Sequence, residues 1–343
     1  MIVLNRAKNL IINGAFDFWQ RGTSFSIGLS SLFTADRFSV ISNGNLGIGI
    51  SRDTGKPTFE QAKFNLPCSL RINNMTASIP VAGVFNTIGQ KIEGYLYQTI
   101  HGKVAVFSFW VKCTHVGNFP ISFRNSANTR SYVTSFTVNE INTWEKKVIP
   151  ITMDNTIDWS LYSGIGLYAD FTLCSTITHY ASQMNTWLSG MYLSHSSLNL
   201  ASAFNGFNMY IAGVQLEQGT EESNFDRSGG SYINEQLLVQ RYYEKSYDMD
   251  VNPGTVVTWQ CGSRWVTSLT NYAQPPVAFK VNKRISPTVV LYDFAGNINR
   301  VRINGADNNT NYTILQATQK HFVVNNTVAA TEMLFGYTAD AEL

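Results

Sequence analysis

Between Lys103 and Lys112 the side chains alternate with period two: Phe107, Phe109 and Val111 fall on one face, and Val106, Ser108 and Trp110 on the other. That period belongs to a β-strand, and apolar residues on both sides call for a strand covered on both faces. The pattern returns at Phe119–Phe123, Tyr132–Val138, Trp144–Ile151, Ile165–Leu173 and Phe207–Leu216, with polar turns between and no alternating helices. Many short strands in this layout predict an all-β chain whose N-terminal part is a jelly-roll β-sandwich. Trp19, Trp110 and Trp144 lie within these strand patterns and are expected in the core.

At 343 residues the chain has room for two domains, and the pattern breaks once, at Gly229 and Gly230. Ser231 can cap a helix there, and 232–246 reads as one. Its apolar pairs, Ile233 with Leu237, Leu238 with Tyr242 and Val239 with Tyr243, cover more than half its circumference. Such a helix is either wedged between domains or packed against copies of itself, which makes Leu237, Leu238, Tyr242 and Tyr243 the candidate domain or oligomer interface. Strand patterns resume at Val256–Trp259, Val277–Val281, Thr288–Tyr292, Asn299–Ile303, Tyr312–Gln316, His321–Val324 and Met333–Thr338. The expected organisation is a sandwich over 1–228, a connecting helix over 229–247 and a smaller C-terminal β-domain over 248–343.

Charged residues make up only 14% of the chain, against roughly 25% in ordinary globular proteins. A polar, weakly charged surface adds little repulsion between copies and suits a protein packed into an assembly. A net charge of +2 without a dense basic cluster argues against nucleic acid as partner. The most basic stretch, Lys280, Lys283, Arg284, Arg300 and Arg302, is expected to be a solvated face. No apolar run is long enough for a signal peptide or a membrane-crossing helix, so no membrane insertion is expected. Cys68, Cys113, Cys174 and Cys261 lie far apart and predict buried free thiols, not a zinc site.

The chain carries no sequence sign of catalysis. The histidines, His101, His115, His179, His195 and His321, form no i, i+4 pair, and there is no nucleophile elbow or phosphate loop. A glycan depolymerase would need two converging carboxylates, for which Asp36, Asp158, Asp170, Glu217 and Asp226 are the candidates. The expectation is therefore a non-enzyme without cofactor or metal. Aromatic residues make up 13%, and rings beside polar loops suit sugar stacking. Trp159, Tyr162, Trp187 and Tyr192, in Ser/Thr-rich loop-like segments, are the candidate glycan contacts.

Particular strings narrow the reading. Asn9-Leu-Ile-Ile-Asn-Gly-Ala-Phe16, Trp19-Gln-Arg-Gly-Thr23 and Phe33-Thr-Ala-Asp-Arg-Phe38 resemble the opening of bacteriophage tail and fibre proteins that begin with a carbohydrate-binding-module-like jelly roll. Gly102–Lys112, Gly213–Glu217, Asn224–Arg227, Gln240–Lys245, Phe279–Thr288 and the ending Phe335–Leu343 are similar to later parts of the same class, in the same order. Phe38 stands where that class would have Trp. The resemblance implies a non-catalytic virion structural protein of fibre, tail or capsid decoration. It would be a homo-oligomer, most often a trimer, assembled in the host bacterial cytoplasm among other virion proteins and contacting host-surface polysaccharide. A stand-alone carbohydrate-binding adhesin module is the alternative. By the same analogy a structural calcium would draw on Asn13, Asp17 and Glu217.

Overall fold

The computed structural model describes residues 8–29, 31–44, 47–74, 80–256, 263–267, 272–273 and 275–343. Most of the strand expected over Val256–Trp259, and Cys261, lie outside them. The chain divides into two compact units. The first runs through Asp17, then Thr23–Glu235, with Leu343; the second takes Phe18–Gly22 and Gln236–Glu342.

The first unit holds β1 (Ser24–Ile27), β2 (Leu32–Phe33), β3 (Phe38–Ser42), β4 (Ile48–Asp53), β5 (Ser69–Asn74), β6 (Asn86–Glu93), β7 (Val104–Cys113), β8 (Gly117–Arg124), β9 (Arg130–Val138), β10 (Glu145–Thr152), β11 (Ile165–Cys174), β12 (Trp187–Ser189) and β13 (Phe207–Gln218). Among the described residues these form two antiparallel sheets in the orders β1-β4-β5-β13-β7-β10 and β12-β9-β8-β11-β6-β3-β2. The fold is a jelly-roll sandwich, as the alternation predicts. Short helices α1 (Phe59–Ala62) and α2 (Gly94–Tyr97) decorate it.

The sandwich is closed by phenylalanines from both sheets. Phe109 of β7 meets Phe171 of β11 at 4.9 Å and Phe136 of β9 at 5.2 Å between ring centroids, both edge to face. Phe107 meets Phe123 of β8 edge to face at 5.4 Å. All five rings are buried, and edge-to-face packing adds to the burial of their area. Cys68, Cys113 and Cys174 are free and buried.

The second unit contains β14 (Tyr243–Lys245), β15 (Ser263–Thr267), β16 (Tyr272–Ala273), β17 (Val277–Ala278), β18 (Thr288–Tyr292), β19 (Val301–Ile303), β20 (Ala306–Asn309), β21 (Tyr312–Ala317), β22 (His321–Asn326) and β23 (Ala330–Asp340). The eleven-residue β23 organises one sheet: β14 and β18 pair with its C-terminal half, β15 and β19 with its N-terminal half. β22 gathers β16, β17 and β21 into the other. Phe279, Phe322, Phe335 and Tyr337 are among the core residues.

Three expectations change here. The helix, α3 (Tyr232–Gln240), stops well short of residue 246. Tyr243–Lys245 instead pairs with β23, whose ladder satisfies backbone groups that a longer helix would have used. Tyr242 and Tyr243 are thus buried within the chain, Leu238 is half-buried, and Leu237 remains 44% exposed. Segment Phe18–Gly22, distant in sequence, joins this unit: Gln20 donates to the Tyr243 carbonyl at 3.2 Å, and the Arg21 guanidinium lies 3.6 Å from the Tyr243 ring centre. Finally, Lys283 is no part of a solvated face. Its Nζ is fully buried and donates to Glu244 Oε2 at 2.7 Å, while Glu244 also accepts from the Tyr337 hydroxyl at 2.9 Å. Burial pushes the lysine pKa down and the Glu244 carboxylate opposes it. The pairing keeps two interior charges from standing alone, the costliest arrangement for either.

Two consequences are measurable. Phe109→Ala removes the ring that touches both partner strands and should cost about 3–5 kcal/mol, seen as a lower urea midpoint. Glu235, in the first turn of α3, is fully buried and accepts from the backbone N–H of Asn13 and, at 2.6 Å, of Gly229. Burial raises its pKa from 4.5 to about 7. The folded chain therefore holds a proton that the unfolded chain has released between pH 4.5 and 7, and stability falls as pH rises through that window. Glu235→Gln should flatten this slope in chemical denaturation while lowering stability, because its amide NH2 must face an N–H.

Candidate functional site

The outer face of the sheet that begins with β1 carries the arrangement best suited to a ligand. Its register sets Ser24 opposite Ser51, Ser51 opposite Arg71, Arg71 opposite Tyr210 and Tyr210 opposite Lys112. Glu145 pairs with Val111, so Trp144, one residue earlier, continues the row beside Lys112. The alternate residues Ile50, Leu70, Ile72, Ile211 and Val111 are buried in the core. Period two therefore turns the whole row, Ser24–Ser51–Arg71–Tyr210–Lys112–Trp144, away from it. A second row, Ser26–Gly49–Asn73–Asn208, lies alongside.

Cations and rings alternate along the first row. Lys112 Nζ sits 4.3 Å from the Tyr210 ring centre and 5.3 Å from that of Trp144. The Arg71 guanidinium approaches Tyr210 from the other side at 5.7 Å. These cation–π contacts hold the rings upright on the sheet. Arg71 Nε and Nη2 donate to Asn208 Oδ1 at 2.9 and 2.6 Å. From Arg71 outward the face opens into a cleft of about 610 Å³ over β1, β4 and β5, with Ser24, Ser26, Gly49, Ser51 and Asn73 among its lining. That volume falls in the range of small-ligand sites, roughly 300–1,000 Å³. Gly49 keeps the floor low, since a Cβ there would come within 2.5 Å of Asn73 Oδ1. A satellite cluster of Ala62, Leu66 and Phe225 packs against Trp110 and Trp144. Both tryptophans are half-buried on this outer face, contrary to the core placement expected for them. Trp19 alone of the three is fully buried.

The loop aromatics expected to contact glycan are placed differently. Trp159 is 6% exposed, lies 4.8 Å from the Tyr97 ring and donates its indole N–H to Asp154 at 3.0 Å. Trp187 is half-buried, edge-on to Trp159 at 5.2 Å, with its indole N–H on the Thr152 carbonyl at 2.8 Å. These two form a packed aromatic group instead of an open platform. Asp154 ties it down: burial opposes its charge, but bonds from Arg130, Thr156 and Trp159 prevail and bring its pKa to about 2. Tyr192 is half-buried, with its backbone N–H on Ser131 Oγ. Only Tyr162 stands clear, 71% exposed and edge-on to Tyr95 at 6.3 Å.

The candidate carboxylates serve structural partners. Asp170 is buried against Arg124 at 3.2 Å, and burial pushes its pKa upward. Glu217 accepts from Ser223 and Gln215, and Asp226 Oδ1 accepts from the Arg227 N–H. Asp36 is fully buried, whereas Asp158 is exposed. The calcium set drawn from the resemblance does not assemble. The Asn13 side-chain amide donates to the Asp36 carbonyl, and Asp17 is gripped by Arg227 through two bonds of 2.8 Å. Among the described residues no group of three or more His, Cys, Asp or Glu is placed to hold a metal, and no helix is long and apolar enough to cross a membrane.

No family model and no curated protein matches this chain. Among solved structures, a candidate sugar-binding protein of Bacteroides thetaiotaomicron is similar at a TM-score of 0.32 and 15% identity, over 62% of this chain and 100% of that one. The module TmCBM61, in complex with β-1,4-galactotriose, gives a TM-score of 0.29 and 10% identity over 62% of this chain and 99% of its own. The family 11 carbohydrate-binding module of a Clostridium thermocellum cellulase gives 0.29 and 7% over 58% and 97%.

Proposed function

We propose that this chain is a non-catalytic glycan-binding protein whose contact surface is the outer face carrying Arg71, Tyr210, Lys112 and Trp144. The observation that carries the reading is the six-strand row itself, aromatic and hydrogen-bonding groups side by side on a rigid sheet, next to a cleft of ligand size. Ring edges and faces suit the apolar faces of pyranoses, and the Asn73, Asn208 and Ser51 side chains suit their hydroxyls. Held by strands, these groups are fixed before a ligand arrives, which limits the entropy lost on binding.

The resemblance of the ordered strings to phage tail and fibre proteins is what a finer reading rests on. In it the chain is a virion structural component, in a fibre, the tail or capsid decoration, assembled in the host bacterial cytoplasm as a homotrimer that meets host-surface polysaccharide. The exposed residues Ile233 and Leu237 of α3 offer apolar area for such self-association. A free-standing adhesin module is the competing reading.

Tyr210→Ala and Trp144→Ala should each weaken binding to a recognised polysaccharide about tenfold, ~1.4 kcal/mol, in calorimetric titration; Trp144→Ala should also lower the melting temperature, because the indole packs against the Ala62, Leu66 and Phe225 cluster. Tyr162→Ala should leave affinity unchanged. If Tyr162 matters and the Tyr210 row does not, the face is misassigned. Light scattering should give about three times the 38.3 kDa chain mass; a stable monomer would favour the adhesin module.

A further inference from the structure

We infer that the glycan bound at this face is acidic, with a sugar carboxylate seated on Arg71. The inference rests on the glycan-binding reading above and adds the ligand's charge. Elsewhere in the first unit, Arg124 is matched to Asp170, Arg130 to Asp154 and Arg227 to Asp17, and the buried Arg37 donates to the Lys91 carbonyl. Arg71 is not matched to a carboxylate among the described residues. Its hydrogen bonds all go to one neutral acceptor, Asn208 Oδ1, which uses two of the five donors of a guanidinium. It is also the one charged residue in the cleft lining, which contains no carboxylate.

Lys112 is less isolated. Its ammonium lies against two aromatic rings and makes no ion pair within 4 Å among the described residues. Asp53 lies on the same face, one step along β4, with Oδ1 accepting from the Gly55 N–H at 2.8 Å. Lys146, further along, is answered by Glu222 at 3.5 Å. Gly55, whose N–H Asp53 holds, lies beside the Lys112 ammonium as well, so that cation has a carboxylate close by, and Arg71 is the cation of this face left without one. A guanidinium with its remaining donors free binds a carboxylate through paired N–H bonds, a fit that neutral sugars do not offer.

The test compares uronate polymers with the same polymers after carboxyl reduction. Polygalacturonate, alginate and hyaluronate, each native and reduced, would be titrated into the full chain by calorimetry at two salt concentrations. At least one native polymer should bind tenfold or more tighter than its reduced form, with the advantage shrinking as salt rises. Arg71→Gln should bring the two forms within about twofold, Arg71→Lys should retain part of the preference, and Tyr210→Ala should weaken binding to both forms. Melting curves of each variant separate lost binding from lost folding. Equal binding of native and reduced polymers, still sensitive to Tyr210→Ala, would overturn the acidic preference and leave the glycan-binding reading intact. An undiminished preference in Arg71→Gln would also overturn it. No binding to any polymer in either form would sink both.

Discussion

The packing of Phe107 and Phe109 against Phe123, Phe136 and Phe171 is the contact on which the first unit depends. It fixes which face of β7 looks inward, and β7 lies between β13 and β10 in its sheet. A slip of one residue would move every side chain to the opposite face. Placing Phe109 and Val111 in the core therefore obliges Trp110 and Lys112 to face out. The ladder carries that choice through β13, β5, β4 and β1, so the face proposed for the ligand is a by-product of core packing.

Charge is distributed in a way that sets this face apart. With few ionic groups to place, the chain buries several of them as matched sets: Arg124 with Asp170, and Lys283 with Glu244 and the Tyr337 hydroxyl. Such sets add little net stability but punish misplacement, since either partner left alone in the interior is severely unfavourable. Glu235 is satisfied by backbone N–H groups, at the cost of a raised pKa. Arg71, by contrast, bonds only to the Asn208 amide oxygen, on the face proposed for the ligand.

The architecture was largely legible in the chain. Alternation marked β7 to β11 and β13, and most of the strands of the second unit that fall among the described residues. β1 to β6, β12, β14, β15, β16 and β20 were not, because they are short or carry too few apolar residues in alternation, and are defined by their partners. The surroundings of the tryptophans were not legible for a related reason. Trp159 and Trp187 sit in polar, loop-like segments, yet fold onto Tyr97 and Tyr132. Trp110 and Trp144 sit in or beside strands and look like core, yet face outward.

By itself the sequence determined that this is a β-chain with a break near Gly229, few charges and no catalytic motif. Those properties follow from local periodicity and composition, which act over a few residues. Tertiary structure alone decided which face of each strand meets the core, that Arg71, Tyr210, Lys112 and Trp144 stand in one row, and that Phe18–Gly22 joins the second unit. These depend on pairings between residues far apart in the chain, from 319 positions for Arg21 with Asp340 to 137 for Arg71 with Asn208. No local pattern encodes such a partner. Its choice is settled only when two apolar faces close on each other and the ladder registers follow.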